Sequence, residues 1–143
     1  MNIYYKIWSD MIYQVKEKTT GGSLDWHFTT LAGMVFLMTF NVLTLLMTVR
    51  IFTGYTILGM GDSFFESIDS GMIRGALWIT LYFFIPISTI NYFLVFHKKK
   101  YEKITEKYKH RNGKLALVYY AVTFALFFGV GIINNLPQFR AVL

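Results

Sequence analysis

The sequence predicts an all-α integral membrane protein: a three-helix bundle with an amphipathic N-terminal helix and a short helix in the first loop. Three observations predict it. Residues 28–49, 75–96 and 115–133 each run without a single Asp, Glu, Lys or Arg. At 1.5 Å rise per residue the first of these is roughly 33 Å long, close to the hydrocarbon thickness of a bilayer. Charged residues make up 15% of the chain and hydrophobic ones 55%, whereas globular chains carry about 25% charged residues. The charge that remains is gathered beside a span. Residues 97–114 hold eight Lys and Arg against two Glu, an excess of six that equals the net charge of +6 of the whole chain. A basic block next to an apolar run points to orientation in a membrane and to anionic headgroups rather than to nucleic acid. With 143 residues the chain is read as one membrane domain, 1–143. It has no cysteine, which excludes disulfides, thiolate metal sites and a Cys nucleophile.

Residues 1–18 place Tyr4, Ile7, Trp8, Met11, Ile12 and Val15 on one helical face, with Lys6, Asp10, Gln14 and Glu17 largely off it. This is the pattern of an amphipathic helix lying in the membrane interface; packing of the same face against the spans is the alternative. It is not the pattern of a secretory signal, because the apolar run is broken and no small-residue cleavage site follows. The Thr-Thr-Gly-Gly-Ser stretch at 19–23 ends the helix, and Trp26 is placed to anchor the start of the first span.

In span one, residues 28–49, a stripe of Thr30, Gly33, Leu37, Asn41, Thr44 and Thr48 recurs at steps of three and four. An amide at mid-span is costly in hydrocarbon and calls for a partner on another helix. The stripe is read as helix packing, with a pore lining as the other possibility. Residues 50–74 form a glycine-bearing, slightly acidic outer loop, in which Ser63 and Glu66 fit a capping box opening a short helix. Span two, residues 75–96, sets Thr80, Ser88 and Asn91 in one helical quadrant. Pro86 cannot donate to the carbonyl of Tyr82 and predicts a kink, either a static bend or a hinge. The linker 97–114 presents Lys98, Lys99, Lys100, Lys103 and Lys107 to anionic lipid, with Lys98–Glu102 and Glu106–Lys109 as surface pairs. Tyr101, Ile104 and Tyr108 continue the helical period, and Asn112-Gly113 stops it. Span three, residues 115–133, carries a ridge of small residues, Ala121, Ala125 and Gly129, of the kind that lets helix backbones approach. Tyr119 and Thr123 lie nearly opposite and need hydrogen-bond partners of their own.

The sequence offers little to catalysis. The three histidines are scattered, no span contains an Asp, Glu, Lys, Arg or His in its interior, and no phosphate loop, GxSxG or dinucleotide fingerprint is present. Catalytic, cofactor-binding and metal sites are therefore expected to be absent. The run YYKIW at the start, FNVLTLL in the first span and FHKKKYEKITEKY after the second resemble a set of uncharacterised small three-span membrane proteins common in Bacteroidota. The resemblance implies a bacterial inner-membrane protein with three spans, and carries over no functional residue. The positive-inside rule puts the N-terminus and the 97–114 loop in the cytoplasm and the C-terminus outside. The functional expectation is an accessory or interaction subunit, acting as a homo-oligomer or with a larger membrane-protein partner; the alternative is a homo-oligomeric pore or membrane-permeabilising effector. A lipid-modifying enzyme would rest only on the acidic outer loop.

Overall fold

A computed structural model describes residues 2–18, 25–54 and 70–136. The short helix expected in the first loop, with Ser63 and Glu66, lies outside the described residues. Within them every regular element is helical, and three helices are long and apolar enough to cross a membrane: Trp26–Thr53, Gly71–Lys107 and Lys114–Asn134.

Helix α1, Ile3–Lys18, is followed by α2, Trp26–Thr53. The latter begins before the uncharged run does, because Asp25 caps it: its carboxylate accepts the His27 N–H at 2.9 Å. It ends where Gly54 takes φ 74°, in the left-handed region, and donates its N–H to the Arg50 carbonyl at 2.8 Å, a standard glycine stop. Thr30, Thr39, Thr44, Thr48 and Thr53 each return their hydroxyl to the carbonyl four residues back. A threonine hydroxyl satisfied in this way can sit in an apolar environment without an outside partner.

The second apolar rod is a chain of segments: α3 (Gly71–Ile79), a π-helical turn (Thr80–Phe84), α4 (Ile85–Asn91), a second π-helical turn (Tyr92–Phe96), a 3-10 turn (His97–Lys99) and α5 (Lys100–Lys107). The effect of Pro86 takes the form of the first π turn. The Ile85 N–H reaches back five residues to Thr80, and the widened turn makes room for a ring that can neither donate nor fit a normal α-helical turn. The rod starts before residue 75 and bends at its other end. Lys98 and Lys99 both have φ 54°, an unfavourable conformation for a side chain with a Cβ, and the direction of the helix changes there. Lys100 reaches back to the Phe93 carbonyl at 3.0 Å, capping the end of the apolar part.

Helix α6, Lys114–Asn134, follows a tight turn. Asn112 and Gly113 are both left-handed, at φ 54° and 78°. A Cβ on Gly113 would also stand 2.8 Å from the Gln14 side chain, so the position requires glycine for its backbone and meets a neighbour besides.

Helix α2 is central, packing along α6 on one part of its surface and against α4 and the first π turn on another. Helix α1 packs across α2, α5 and α6 together, so its apolar face meets other helices, the alternative that its periodicity left open. Trp8, Met11 and Ile12 enter one buried cluster with Met34, Val95, Phe96, Ile104 and Ala116. Tyr5 stacks on Tyr108, and Tyr13 lies flat on His110 with ring centroids 3.5 Å apart. All of these contacts gather at one end of the molecule, where α2 and α6 begin and the second rod turns.

Candidate functional site

That end holds the densest chemistry in the structure, and Asp10 is at its centre. The side-chain period assigned Asp10 to the polar face of α1, yet the residue is 1% exposed. Its Oδ1 accepts the N–H groups of Arg111 and Gly113 at 2.6 and 3.0 Å, and its Oδ2 those of Leu115 and Ala116 at 2.7 and 3.1 Å. Burial alone would raise the carboxyl; the four backbone donors outweigh it and hold Asp10 below the ordinary carboxylate value of 3.8. Among the donors are orphan N–H groups of the first turn of α6, where the helix dipole also favours an anion. Beside it the Ser9 hydroxyl donates to the Tyr108 carbonyl. Asp10 therefore ties the first helix to the last one.

Two more polar contacts join the helices. The amide of Asn41 donates to the Tyr119 hydroxyl at 2.6 Å and accepts from Thr123 at 3.3 Å, so α2 and α6 are linked mid-length. Asn91 is buried; it accepts the Tyr4 hydroxyl at 2.7 Å and donates to the carbonyl of Ile87. Burial pushes the Tyr4 phenol up to about 12, against a smaller opposing pull from the Trp8 indole, so it stays a neutral donor over the physiological range. Replacing Asn41 with Leu keeps the volume and leaves two hydroxyls unmatched. Interhelical bonds of this kind are worth about 0.6 to 2 kcal/mol, and a loss of that size is expected in the unfolding free energy of the detergent-solubilised chain. Thr123→Val should cost less, because it removes one bond of the pair.

The remaining sequence-derived positions are spread over the molecule. Gly33 lies where α1, α2 and α6 meet: a Cβ there would stand 3.1 Å from the Tyr120 hydroxyl and 3.2 Å from the end of Met11. Thr44 and Thr48 are half-buried, Ser88 is half-buried, and Thr80 is exposed with its hydroxyl on the Ala76 carbonyl. The stripe on α2 does not meet the Thr80–Ser88–Asn91 quadrant through side-chain hydrogen bonds; Asn41 turns to α6 and Asn91 to α1. Ala121, Ala125 and Gly129 are exposed, and a Cβ on Gly129 would meet nothing within 4 Å. Lys98, Lys99, Lys100, Lys103 and Lys107 are exposed too. The expected Lys98–Glu102 and Glu106–Lys109 pairs are not within ion-pair distance; among the described residues the one such contact is His27–Asp25 at 2.8 Å. It lowers the Asp25 carboxyl, chiefly through the His27 side chain and then its N–H.

Four hollows matter for chemistry. Lys6, Lys107, Lys109 and Arg111 wall one of about 450 Å3 next to Asp10. A smaller one of about 260 Å3 joins it at Lys6, Arg111 and Leu115. A third, of about 470 Å3, is lined by His27, Phe28, Tyr92, Phe96 and Lys99. The fourth is an apolar groove of about 390 Å3 between α2 and α3, closed at one side by Phe127. Among the described residues no three His, Asp or Glu side chains are grouped as metal ligands would be. Sequence reading missed the Asp10 clamp altogether; the only available signal was an acid in the middle of a helix rich in aromatic and apolar residues. Compared with family models, curated proteins and solved structures, the chain matches none.

Proposed function

We propose that the chain is an integral protein of the bacterial inner membrane that works as an accessory or interaction subunit, without catalysis of its own and without nucleic acid as a partner. The single observation carrying this reading is the bare face of α6. Its Tyr119–Thr123 side is engaged by α2, while the Ala121–Ala125–Gly129 side, the kind that lets a second helix backbone come close, faces outward. The wider surface argues the same way. Only 22, 17 and 11% of the most apolar windows of the three long helices is buried within the chain, so their side chains call for lipid or for other helices. Helix α1 and the basic segment lie together at one end, which agrees with both being cytoplasmic and with the C-terminus outside. The pore reading is less well supported: Asn41 is paired within the chain and the Thr44 and Thr48 hydroxyls are spent on their own helix.

The absence of cysteine makes the test direct. Ala125→Cys gives one reactive thiol on the bare face, and oxidation in native membranes followed by mass spectrometry reads what lies against it. A disulfide-linked dimer or a thiol-crosslinked second membrane protein is the expected result. A thiol that lipid-soluble reagents modify fully, with only monomer recovered after oxidation and amine crosslinking, would defeat the proposal.

A further inference from the structure

The basic hollow beside Asp10 has no part in the reading above. It lies between α1 and the connection from α5 to α6, with Lys6 on one wall and Lys107, Lys109 and Arg111 on the other. Among the described residues none of these four cations is within ion-pair distance of a carboxylate. The one acid in the wall, Asp10, has both oxygens committed to backbone N–H groups. Four like charges around one hollow repel one another, and an anion entering it removes that repulsion.

The hollow is also the upper part of something longer. The smaller cavity that shares Lys6, Arg111 and Leu115 adds the exposed side chain of Ile3, so the polar cleft opens onto apolar surface. Leu115 begins a row on α6, and Val118, Val122 and Leu126 follow it at helical steps, 55, 50 and 52% exposed. A cationic head site running into a hydrocarbon strip along an apolar helix is complementary to an amphiphile with an anionic head. A free anion would use only the first part, and an acidic peptide would leave the strip uncovered.

We propose that this cleft seats one anionic phospholipid, its phosphate between Lys6 and Arg111 and an acyl chain along Leu115, Val118, Val122 and Leu126. The site rests on the reading that α6 spans a membrane, and it is separate from the general attraction exerted by Lys98, Lys99 and Lys100, which do not line the cleft.

The experiment uses the full chain, purified in mild detergent and stripped of lipid, with bound lipid counted by native mass spectrometry. Phosphatidylglycerol should be retained and phosphatidylcholine not. The double variant Lys6→Gln with Arg111→Gln should lower phosphatidylglycerol affinity about twenty-five-fold, about fivefold for each cation. The triple variant Lys98→Gln, Lys99→Gln, Lys100→Gln should leave it within about twofold, and millimolar inorganic phosphate should not displace the lipid. Equal retention of the two lipids, an unchanged double variant, a triple variant that loses as much as the double, or displacement by phosphate would each overturn the proposal. Should the double variant lack a cooperative thermal transition, Lys107→Gln with Lys109→Gln takes its place with the same expected direction. Alkaline carbonate extraction of membranes separates the two levels. Release into the supernatant would sink the membrane reading itself; retention with unselective lipid binding would sink only the site.

Discussion

Replacing Asp10 with Ala should destabilise the chain by about 3 to 5 kcal/mol, a large part of the roughly 5 to 15 kcal/mol that holds a typical domain. The variant removes one carboxylate and strands four backbone donors in a place where the residue is 1% exposed. Each buried donor left unmatched costs about 1 to 3 kcal/mol, less where the loop can shift to admit water. Asp10→Asn should rescue only partly. Its amide oxygen can keep two of the four bonds, but its NH2 then faces two N–H groups, and a cost of about 2 to 3 kcal/mol is expected. Reversible thermal or denaturant unfolding in detergent reads both variants. The same carboxylate sets a pH response. Its folded value is depressed below 3.8, so the stabilisation is complete above the unfolded value and is lost as pH falls through the folded one. Wild type should hold steady from neutral pH down to about 4 and weaken below it. The Asp10→Asn chain should lack this component, and a wild-type curve parallel to that of the variant in the acid range would refute the assignment.

Trp8→Ala is expected to be of similar size, about 3 to 5 kcal/mol, the usual range for emptying a large aromatic site. Trp8 is fully buried and meets Phe96 edge-on at 5.7 Å and Tyr4 at 6.3 Å. It is the largest of the fully buried side chains joining α1 to the rest. The loss should appear as early detachment of α1: protease should cut between α1 and α2 faster, while α2 and α6 stay protected by their own contact. Trp8→Phe should recover more than half of the difference, since much of the ring contact survives. Uniform protection of α1 in Trp8→Ala would show that the aromatic cluster is not what holds it.

The long helices were legible because length without charge is a strong signal, and the turn before α6 was marked by Asn112-Gly113; the end of the first span was set at 49, where the uncharged run stops, whereas α2 continues through Arg50 to Thr53 and stops at Gly54. Asn41 advertised a partner, since a lone amide in an apolar run is expensive, but its neighbours Tyr119 and Thr123 were visible only as groups that also needed one. Pairing the two required the three-dimensional arrangement. Asp10 shows the opposite limit. Periodicity sorts side chains by water or oil, and a carboxylate is sorted to water; backbone N–H groups more than a hundred residues later have no signature in composition. The same blindness covers α1. Its apolar face was read first as an interfacial one, with packing against the spans as the alternative, and the stacking partners that hold it, such as Tyr108 and His110, are presented by the sequence only as part of a basic stretch. The double left-handed turn at Lys98 and Lys99 was likewise hidden, because lysine is a poor candidate for that conformation.

The separation between Asp10 and its donors has a temporal meaning. Arg111, the nearest of them in sequence, comes 101 positions later, and ribosomes add about 5 to 20 residues per second. For roughly 5 to 20 seconds of synthesis, then, α1 exists without the segment that completes it. During that interval Asp10 lacks all four of its backbone donors and the cluster around Trp8 lacks Ala116. The start of α6 is made about a hundred residues after the helix it clamps, so this contact closes backwards along the chain.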